Sequence, residues 1–222
     1  MTFGIKLESV AVEFDGHTAL SDVTLDLTAR TIAVIGSNGS GKSTFARLLN
    51  GLVKPTSGSV SIDGKTANTD TTGFLFSNPD LQIVMPTVFE DVAFSLTNQK
   101  LSKDEVRKRV LSALEQVGIV ELQESNCHTL SSGQKQLLAL ASNLVREPAL
   151  LVADEPTTLL DLPNTKRITK LLHSLPLKQL VVVTHDLELA ATCDEVVWFD
   201  GGRVTKVGTP KTLISEYRKY FA

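Results

Sequence analysis

The sequence is poor in cysteine and in aromatic residues, and it has no marked excess of either charge. Its 222 residues include two cysteines, and aromatic residues make up 5% of the total. Lysine and arginine number 22 against 25 aspartates and glutamates, which gives a formal charge of −3. Proteins that bind nucleic acid usually carry a basic excess or a basic stripe. We therefore expect no nucleic-acid partner.

The two cysteines, Cys127 and Cys193, lack the close spacing of a metal site or a redox pair. Both are predicted to be buried structural thiols, because disulfides are rare in cytosolic proteins. No hydrophobic run reaches the roughly 18 residues that a membrane helix requires. The N-terminus also lacks the basic and then apolar order of a signal peptide. The chain is predicted to be cytosolic, or to be held at a membrane by another protein.

The hydrophobic pattern predicts an α/β fold built on a parallel sheet. Three short segments are continuously apolar, which is typical of strands buried on both faces: Thr31–Ile35, Ala149–Ala153 and Leu180–Val183. Leu7–Phe14 and Ala19–Leu27 alternate between apolar and polar residues instead, which favours an added antiparallel sheet. No composition break marks a linker, so the chain is predicted to form one globular unit with lobes.

Two helices and a hairpin stand out further along the chain. A helix is predicted for Ser102–Val117, with a capping box between Ser102 and Glu105. A second helix is predicted for Gln134–Val145. The strand-like residues on either side of Gly201-Gly202 predict a hairpin with a two-residue turn.

A glycine-rich stretch follows the first of the continuously apolar segments. It matches the pattern G-x-x-x-x-G-K-[ST] with Gly36, Ser37, Asn38, Gly39, Ser40, Gly41, Lys42 and Ser43. Such a loop turns backbone N–H groups toward a phosphate, and the helix that follows adds its positive dipole end. Lys42 is predicted to reach the β and γ phosphates, and Ser43 to give its hydroxyl to Mg²⁺. A flexible Gly-Ser turn is the alternative, but the strand before and the helix after favour the phosphate loop.

Two carboxylates, Asp154 and Glu155, directly follow the apolar segment Ala149–Ala153. In open α/β sheets, ligands bind at the carboxyl ends of the strands. Asp154 is therefore predicted to hold Mg²⁺, and Glu155 to orient or activate a water that attacks the γ-phosphate. A solvated acidic turn is the alternative when the pair is considered alone, and the phosphate loop favours the catalytic role.

The stretch Leu130-Ser131-Ser132-Gly133-Gln134 narrows the class of nucleotide-binding protein. It resembles the LSGGQ signature of the ATP-binding cassette (ABC) family, and the other motifs of that family stand in the expected order. The resemblance extends from Leu7 to Gly208. It implies a P-loop NTPase fold in a single domain, 1–222, with a RecA-like parallel-sheet core and an N-terminal antiparallel β subdomain. A helical subdomain that carries the signature is expected at about 78–148.

The resemblance also implies roles for single residues. Phe14 would stack on adenine, although its position in the sequence alone favours the core. His185 would lie near the γ-phosphate and join Lys42 and Glu155 as the catalytic set. The implied cofactors are ATP and Mg²⁺, with Ser43 and Asp154 as metal ligands. The implied ATP-binding residues are Phe14, Gly36, Ser37, Asn38, Gly39, Ser40, Gly41, Lys42, Ser43 and Thr44.

Two ATP sites at the interface of a head-to-tail dimer are a further implication of the resemblance. Asp161 matches the loop that crosses to the opposite cassette. The signature would contact the γ-phosphate that this opposite cassette binds, through Ser131, Ser132, Gly133 and Gln134. The opposite cassette is either a second copy of this chain or a different protein, and the sequence leaves both open.

Two positions depart from the family's usual pattern. The family usually has glutamine where this chain has Ser77, at a position associated with Mg²⁺ and the attacking water. Ser77 is shorter, and Gln82 lies nearby in the sequence, so Ser77 or Gln82 remains a candidate for the metal contact. Ser132 replaces the first glycine of the signature, which keeps the N–H but tolerates positive φ less well. We expect these changes to affect hydrolysis rather than ATP binding.

The segment after Ser77 resembles one subset of the family. Residues 78–82 (NPDLQ) and 85–94 (MPTVFEDVAF) are similar to NPDDQ and PTVEEDVAFG in the ATPases of energy-coupling-factor importers and of cobalt or nickel importers. The resemblance implies a transmembrane coupling subunit and a substrate-binding membrane subunit as partners, docked near Ser77–Phe94, with this chain peripheral on the cytoplasmic face of the membrane. The expected cargo is a vitamin, with biotin favoured, and cobalt or nickel is the alternative.

A soluble cassette ATPase of iron–sulfur cluster assembly is the alternative from another class, because such a protein has similar length and charge. It would act on a protein scaffold and would transport nothing. Co-purification separates the two, since only an importer subunit accompanies membrane proteins.

Overall fold

The computed structural model describes residues 3–68 and 71–221. Within them, the chain forms ten strands and seven α-helices. In chain order these are β1 (Ile5–Phe14), β2 (His17–Leu27), β3 (Thr31–Gly36), α1 (Lys42–Asn50), β4 (Ser57–Ile62), β5 (Lys65–Thr66), β6 (Thr72–Leu75), α2 (Val88–Phe94), α3 (Lys103–Val117), α4 (Ser132–Leu144), β7 (Leu150–Asp154), α5 (Leu162–Ser174), β8 (Gln179–Val183), α6 (Leu187–Ala190), β9 (Glu195–Asp200), β10 (Arg203–Gly208) and α7 (Pro210–Tyr220). The residues divide into two compact units, the first covering Met1–Thr72, Ala149–Glu155 and Pro176–Ala222, the second Gly73–Pro148 and Pro156–Leu175.

The first unit contains two sheets. The antiparallel sheet has the strand order β2-β1-β4-β5, and Ile5 pairs with both Leu27 and Ile62. In the other sheet the strands of this unit have the order β10-β9-β3-β8-β7, and β9, β3, β8 and β7 run parallel. Every residue of β3, β7 and β8 is buried, as their continuous apolar runs predict. The predicted α/β class and the added antiparallel sheet are confirmed.

The second unit is mainly helical and contains α2, α3, α4 and α5. The predicted helix at Ser102–Val117 is present, with Ser102 as its N-cap, but the predicted capping box is only half formed. Ser102 accepts a hydrogen bond from the Glu105 N–H, while the Glu105 carboxylate pairs with Arg109 instead. The second predicted helix begins at Ser132, two residues earlier than expected. Helices α2 and α5 have no counterpart among the predicted elements.

Both cysteines are free and buried, as predicted. Burial raises the pKa of Cys127 to about 11 and that of Cys193 to about 12. Thiolate, the reactive form of cysteine, is therefore scarce at neutral pH, which fits structural thiols.

Candidate nucleotide site

The phosphate loop joins β3 to α1 in the first unit. A Cβ atom at Gly41 would lie 2.6 Å from the Leu20 side chain and 2.8 Å from the Ala19 carbonyl oxygen. Only glycine therefore fits at this point without a shift of the neighbouring strand. An open cavity of about 300 Å³ lies over the loop, lined by Ala19, the run Asn38–Thr44 and Glu155.

The ammonium group of Lys42 lies against the loop that precedes it. Its Nζ donates hydrogen bonds to the carbonyl oxygens of Gly36 and Ser37, both at 2.8 Å. Burial lowers the pKa of Lys42, and the charges of Glu155 and Asp154 oppose that shift. A partly buried cation thus stands at the loop where the motif places the phosphates.

Ser43 and Asp154 meet at the end of β7. The Ser43 hydroxyl donates to Oδ1 of Asp154 at 3.2 Å. Burial raises the pKa of Asp154, while the hydrogen bond from Ser43 and the charge of Arg47 act in the opposite direction. A hydroxyl and a carboxylate are the hard oxygen ligands that Mg²⁺ prefers, so the residues present fit that ion.

Replacing Asp154 by Asn is expected to stabilise the nucleotide-free protein. The folded-state pKa of Asp154 lies above that of the unfolded chain, so ionisation destabilises the fold at neutral pH and the penalty fades as the pH falls. The melting temperature of Asp154→Asn should exceed that of the wild type by a few degrees at pH 7.5, and the gap should narrow toward pH 4. The exposed change Asp63→Asn is the control. A lower melting temperature for Asp154→Asn at pH 7.5 would contradict this interpretation.

Glu155 and His185 form a hydrogen-bonded pair. The carboxylate Oε2 of Glu155 lies 2.7 Å from Nδ1 of His185. Glu155 has φ +52°, a left-handed conformation that costs a non-glycine residue about 1–2 kcal/mol, and its N–H donates to the Val183 carbonyl at 2.8 Å. The strands β7 and β8 are parallel neighbours, so their carboxyl ends bring Glu155 and His185 together. The Glu155 carboxylate is thus held at the cavity.

Phe14 ends β1, and 47% of its surface is exposed. The core position that its place in the sequence favours is therefore wrong. An exposed aromatic ring is what adenine stacking requires, and that role stays a prediction.

The signature begins α4 in the second unit. Ser131 is the N-cap and forms a full capping box with Gln134, whose Oε1 accepts from the Ser131 N–H at 2.9 Å. Ser132 is the first helical residue, so the expected difficulty with positive φ does not arise there. A Cβ at Gly133 would lie 2.7 Å from the Asn164 side chain, so helix α5 packs closely at this point. The contact of the signature residues Ser131–Gln134 with a second cassette stays a prediction.

Gln82 holds the backbone that leads to Ser77. Its Nε2 donates to the Phe74 carbonyl at 2.8 Å, and its Oε1 accepts from the Phe76 N–H at 2.9 Å. This clamp gives Gln82 a structural function and favours Ser77 for the metal-associated position.

Asp161 is the N-cap of α5, and its side chain accepts a hydrogen bond from the Asn164 N–H at 3.0 Å.

Sequence reasoning missed Asp91, a buried acid in α2. Its Oδ1 accepts from the N–H groups of Val84 at 2.8 Å and Met85 at 3.1 Å, and its Oδ2 accepts from the Ser142 hydroxyl at 3.1 Å. The signal was a carboxylate in the mostly apolar run Val88–Phe94. Asp91 fixes the loop that precedes α2.

Comparison with known proteins finds a matching family and several similar relatives. The ABC transporter family model matches residues 20–158. The biotin transport ATP-binding protein BioM of Rhizobium etli is 42% identical over 98% of this chain and 99% of its own. The energy-coupling factor transporter ATP-binding protein EcfA1 of Latilactobacillus sakei is 38% identical over 89% of this chain and 74% of its own. The solved structure of cbiO1 from Clostridium perfringens, part of the ABC transporter complex cbiONQ, superposes with a TM-score of 0.89 at 35% identity, over 99% of this chain and 93% of that one.

The chain belongs to the ABC transporter family. It is an ATP-binding ATPase cassette, as the phosphate loop and the signature predict. Within the described residues, no helix combines the length and the apolar character that crossing a bilayer requires.

Proposed function

We propose that this ATPase drives an energy-coupling-factor importer through membrane partner subunits. One observation carries the proposal. The loop before α2 presents apolar side chains to solvent on a backbone that is fixed from two sides. Leu81 is 70% exposed and Val84 is 62% exposed, while Gln82 and Asp91 hold the backbone around them. Exposed apolar side chains on an ordered loop are typical of a docking site.

The similarity to energy-coupling-factor and biotin-transport ATPases supports a coupling subunit as the occupant of this loop. In this proposal the chain is peripheral on the cytoplasmic face of the membrane. Biotin is the proposed cargo because of the similarity to BioM, and a cobalt or nickel ion is the alternative cargo.

The geometry of the site supports a division of work in ATP hydrolysis. The phosphate loop and Lys42 bind the phosphates. Ser43 and Asp154 would hold Mg²⁺, which would neutralise phosphate charge when bound. Glu155 accepts the proton of the attacking water, and His185, hydrogen-bonded to it, orients the carboxylate and contacts the γ-phosphate.

A second cassette completes the proposed site. Leu159 and Leu162, on either side of the N-cap Asp161, are 57% and 66% exposed. Together with the exposed Ser131 and Ser132 at the start of α4, they are the surfaces that we assign to a dimer held together by ATP. The first turn of α4 is a helix N-terminus, whose N–H groups and positive dipole end suit a γ-phosphate.

Affinity purification from detergent-solubilised membranes tests the importer assignment. The tagged chain should bring down two membrane proteins, the coupling subunit and the substrate-binding subunit. Recovery only in the soluble fraction, or with a soluble scaffold protein, would overturn the assignment and favour a role in iron–sulfur cluster assembly.

Ser77→Gln is expected to preserve or raise ATPase activity. The longer amide restores the group that the family usually places beside Mg²⁺ and water. Gln82 continues to hold the backbone of Phe74 and Phe76, on the N-terminal side of residue 77. Steady-state phosphate release is the measurement, with Ser77→Ala, which removes the hydroxyl group, as control. A loss of about tenfold or more, equivalent to about 1.4 kcal/mol in the barrier, would show that serine is adapted to this site.

A further inference from the structure

We propose that Gly202, in the turn between β9 and β10, positions the phosphate loop for ATP. No motif of the nucleotide site includes this turn. Gly202 also has no side chain of its own that could act on ATP. The role assigned to Gly202 lies in ATP binding by this chain and is independent of any membrane partner.

Two backbone hydrogen bonds place Gly202 between the phosphate loop and β2. Its N–H donates to the carbonyl oxygen of Ser40, in the loop, at 3.1 Å. Its own carbonyl oxygen accepts from the Ser21 N–H at 2.8 Å. The turn therefore bridges the strand edge at Ser21 and the peptide that joins Ser40 to Gly41.

The packing at this point leaves no room for a side chain on Gly202. A Cβ atom at Gly41 would lie 3.4 Å from the Cα of Gly202, and a Cβ at Gly202 would lie 2.8 Å from the carbonyl oxygen of Ala19. The other end of the loop meets the same hairpin, since a Cβ at Gly36 would collide with the carbonyl oxygen of Phe199 in β9. Both ends of the loop are thus fitted against β9 and its turn.

Holding the Ser40 carbonyl fixes the orientation of the peptide planes around it. The N–H groups of such a loop bind phosphate only when several of them point to one spot. A shift of this peptide would turn the N–H of Gly41 and of its neighbours away from the phosphates. Gly202 is therefore a positioning residue, because it acts through its hydrogen bond to the Ser40 carbonyl oxygen of the loop.

The pair Gly202→Ala and Gly201→Ala tests the proposal with a matched control. Both residues have positive φ, +75° and +51°, so alanine is strained at both, but a Cβ at Gly201 has no atom within 4 Å. ATP affinity should fall by about tenfold or more in Gly202→Ala and change by less than about twofold in Gly201→Ala. At saturating ATP the turnover number of Gly202→Ala should stay within about threefold of the wild type, a split that plain loss of folded protein does not produce.

Arg203→Ala is the second variant, in case Gly202→Ala does not fold. The Arg203 guanidinium donates to the Ser21 hydroxyl at 3.2 Å and is exposed, so its removal loosens the turn without a clash. We expect the KM for ATP to rise about threefold. Amide hydrogen exchange, compared with the wild type, should become faster in the phosphate loop and stay unchanged in β3 and β8. Folded Gly202→Ala with the affinity of Gly201→Ala would overturn the proposal. Unchanged KM and unchanged loop exchange in Arg203→Ala would overturn it as well.

Discussion

Glu155→Gln should reduce ATP turnover by a factor on the order of 10²–10⁴, the usual contribution of a general base, while ATP still binds. The amide keeps the shape of the side chain but accepts no proton. Because hydrolysis no longer separates the cassettes, the variant should accumulate as an ATP-bound dimer. Light scattering in saturating ATP and Mg²⁺ should therefore report twice the mass of the nucleotide-free protein.

Glu188→Gln is the matched control for this experiment. Glu188 lies in α6 and is exposed, and its carboxylate pairs with Arg218 on the surface. Its neutralisation should leave turnover and mass unchanged, because exposed ion pairs contribute little. A Glu155→Gln protein that stayed monomeric under these conditions would contradict a dimer of two copies of this chain.

The double change Leu81→Glu and Val84→Glu should remove the membrane partners from the purified chain. Both side chains are exposed, so the fold tolerates charge there, but an apolar interface does not accommodate two buried and unpaired carboxylates. Affinity purification from solubilised membranes should recover the variant alone, and its ATP affinity should equal that of the wild type.

Leu52→Glu provides the comparison for the docking variant. Leu52 is 49% exposed and belongs to the first unit, away in sequence from the proposed docking loop. Its substitution should leave the membrane partners in place. Retention of both partners by the Leu81 and Val84 double variant would place the docking surface elsewhere.

The sequence predicts the sheet and the phosphate-binding edge well because both depend on local patterns. Continuous apolar runs identify β3, β7 and β8, and parallel strands bring their carboxyl ends together. The motifs predict that Ser43 and Asp154 share a metal ion, and the structure shows the two side chains hydrogen-bonded. The pairing of Glu155 with His185 is a finding of the structure, because the sequence assigns His185 a role only through the family resemblance.

Hydrogen bonds from side chains to irregular backbone, and bonds between distant segments, are what the sequence does not reveal. Asp91 accepts from a loop several residues before it, and Gln82 reaches back to the strand before Ser77. Gly202 bonds to Ser40, far away in the chain. The half-formed capping box at α3 has a local cause instead, since Arg109, four residues further on, pairs with the Glu105 carboxylate.

Substrate uptake by reconstituted vesicles tests the central claim most directly. Vesicles that contain this chain and its co-purified membrane proteins would be supplied with ATP and Mg²⁺ on the side of the cassette and with labelled biotin, Co²⁺ or Ni²⁺ on the other. The account predicts uptake of one of these substrates that requires ATP and is lost with Glu155→Gln. Hydrolysis of ATP by the wild-type assembly without uptake of any of them would contradict it.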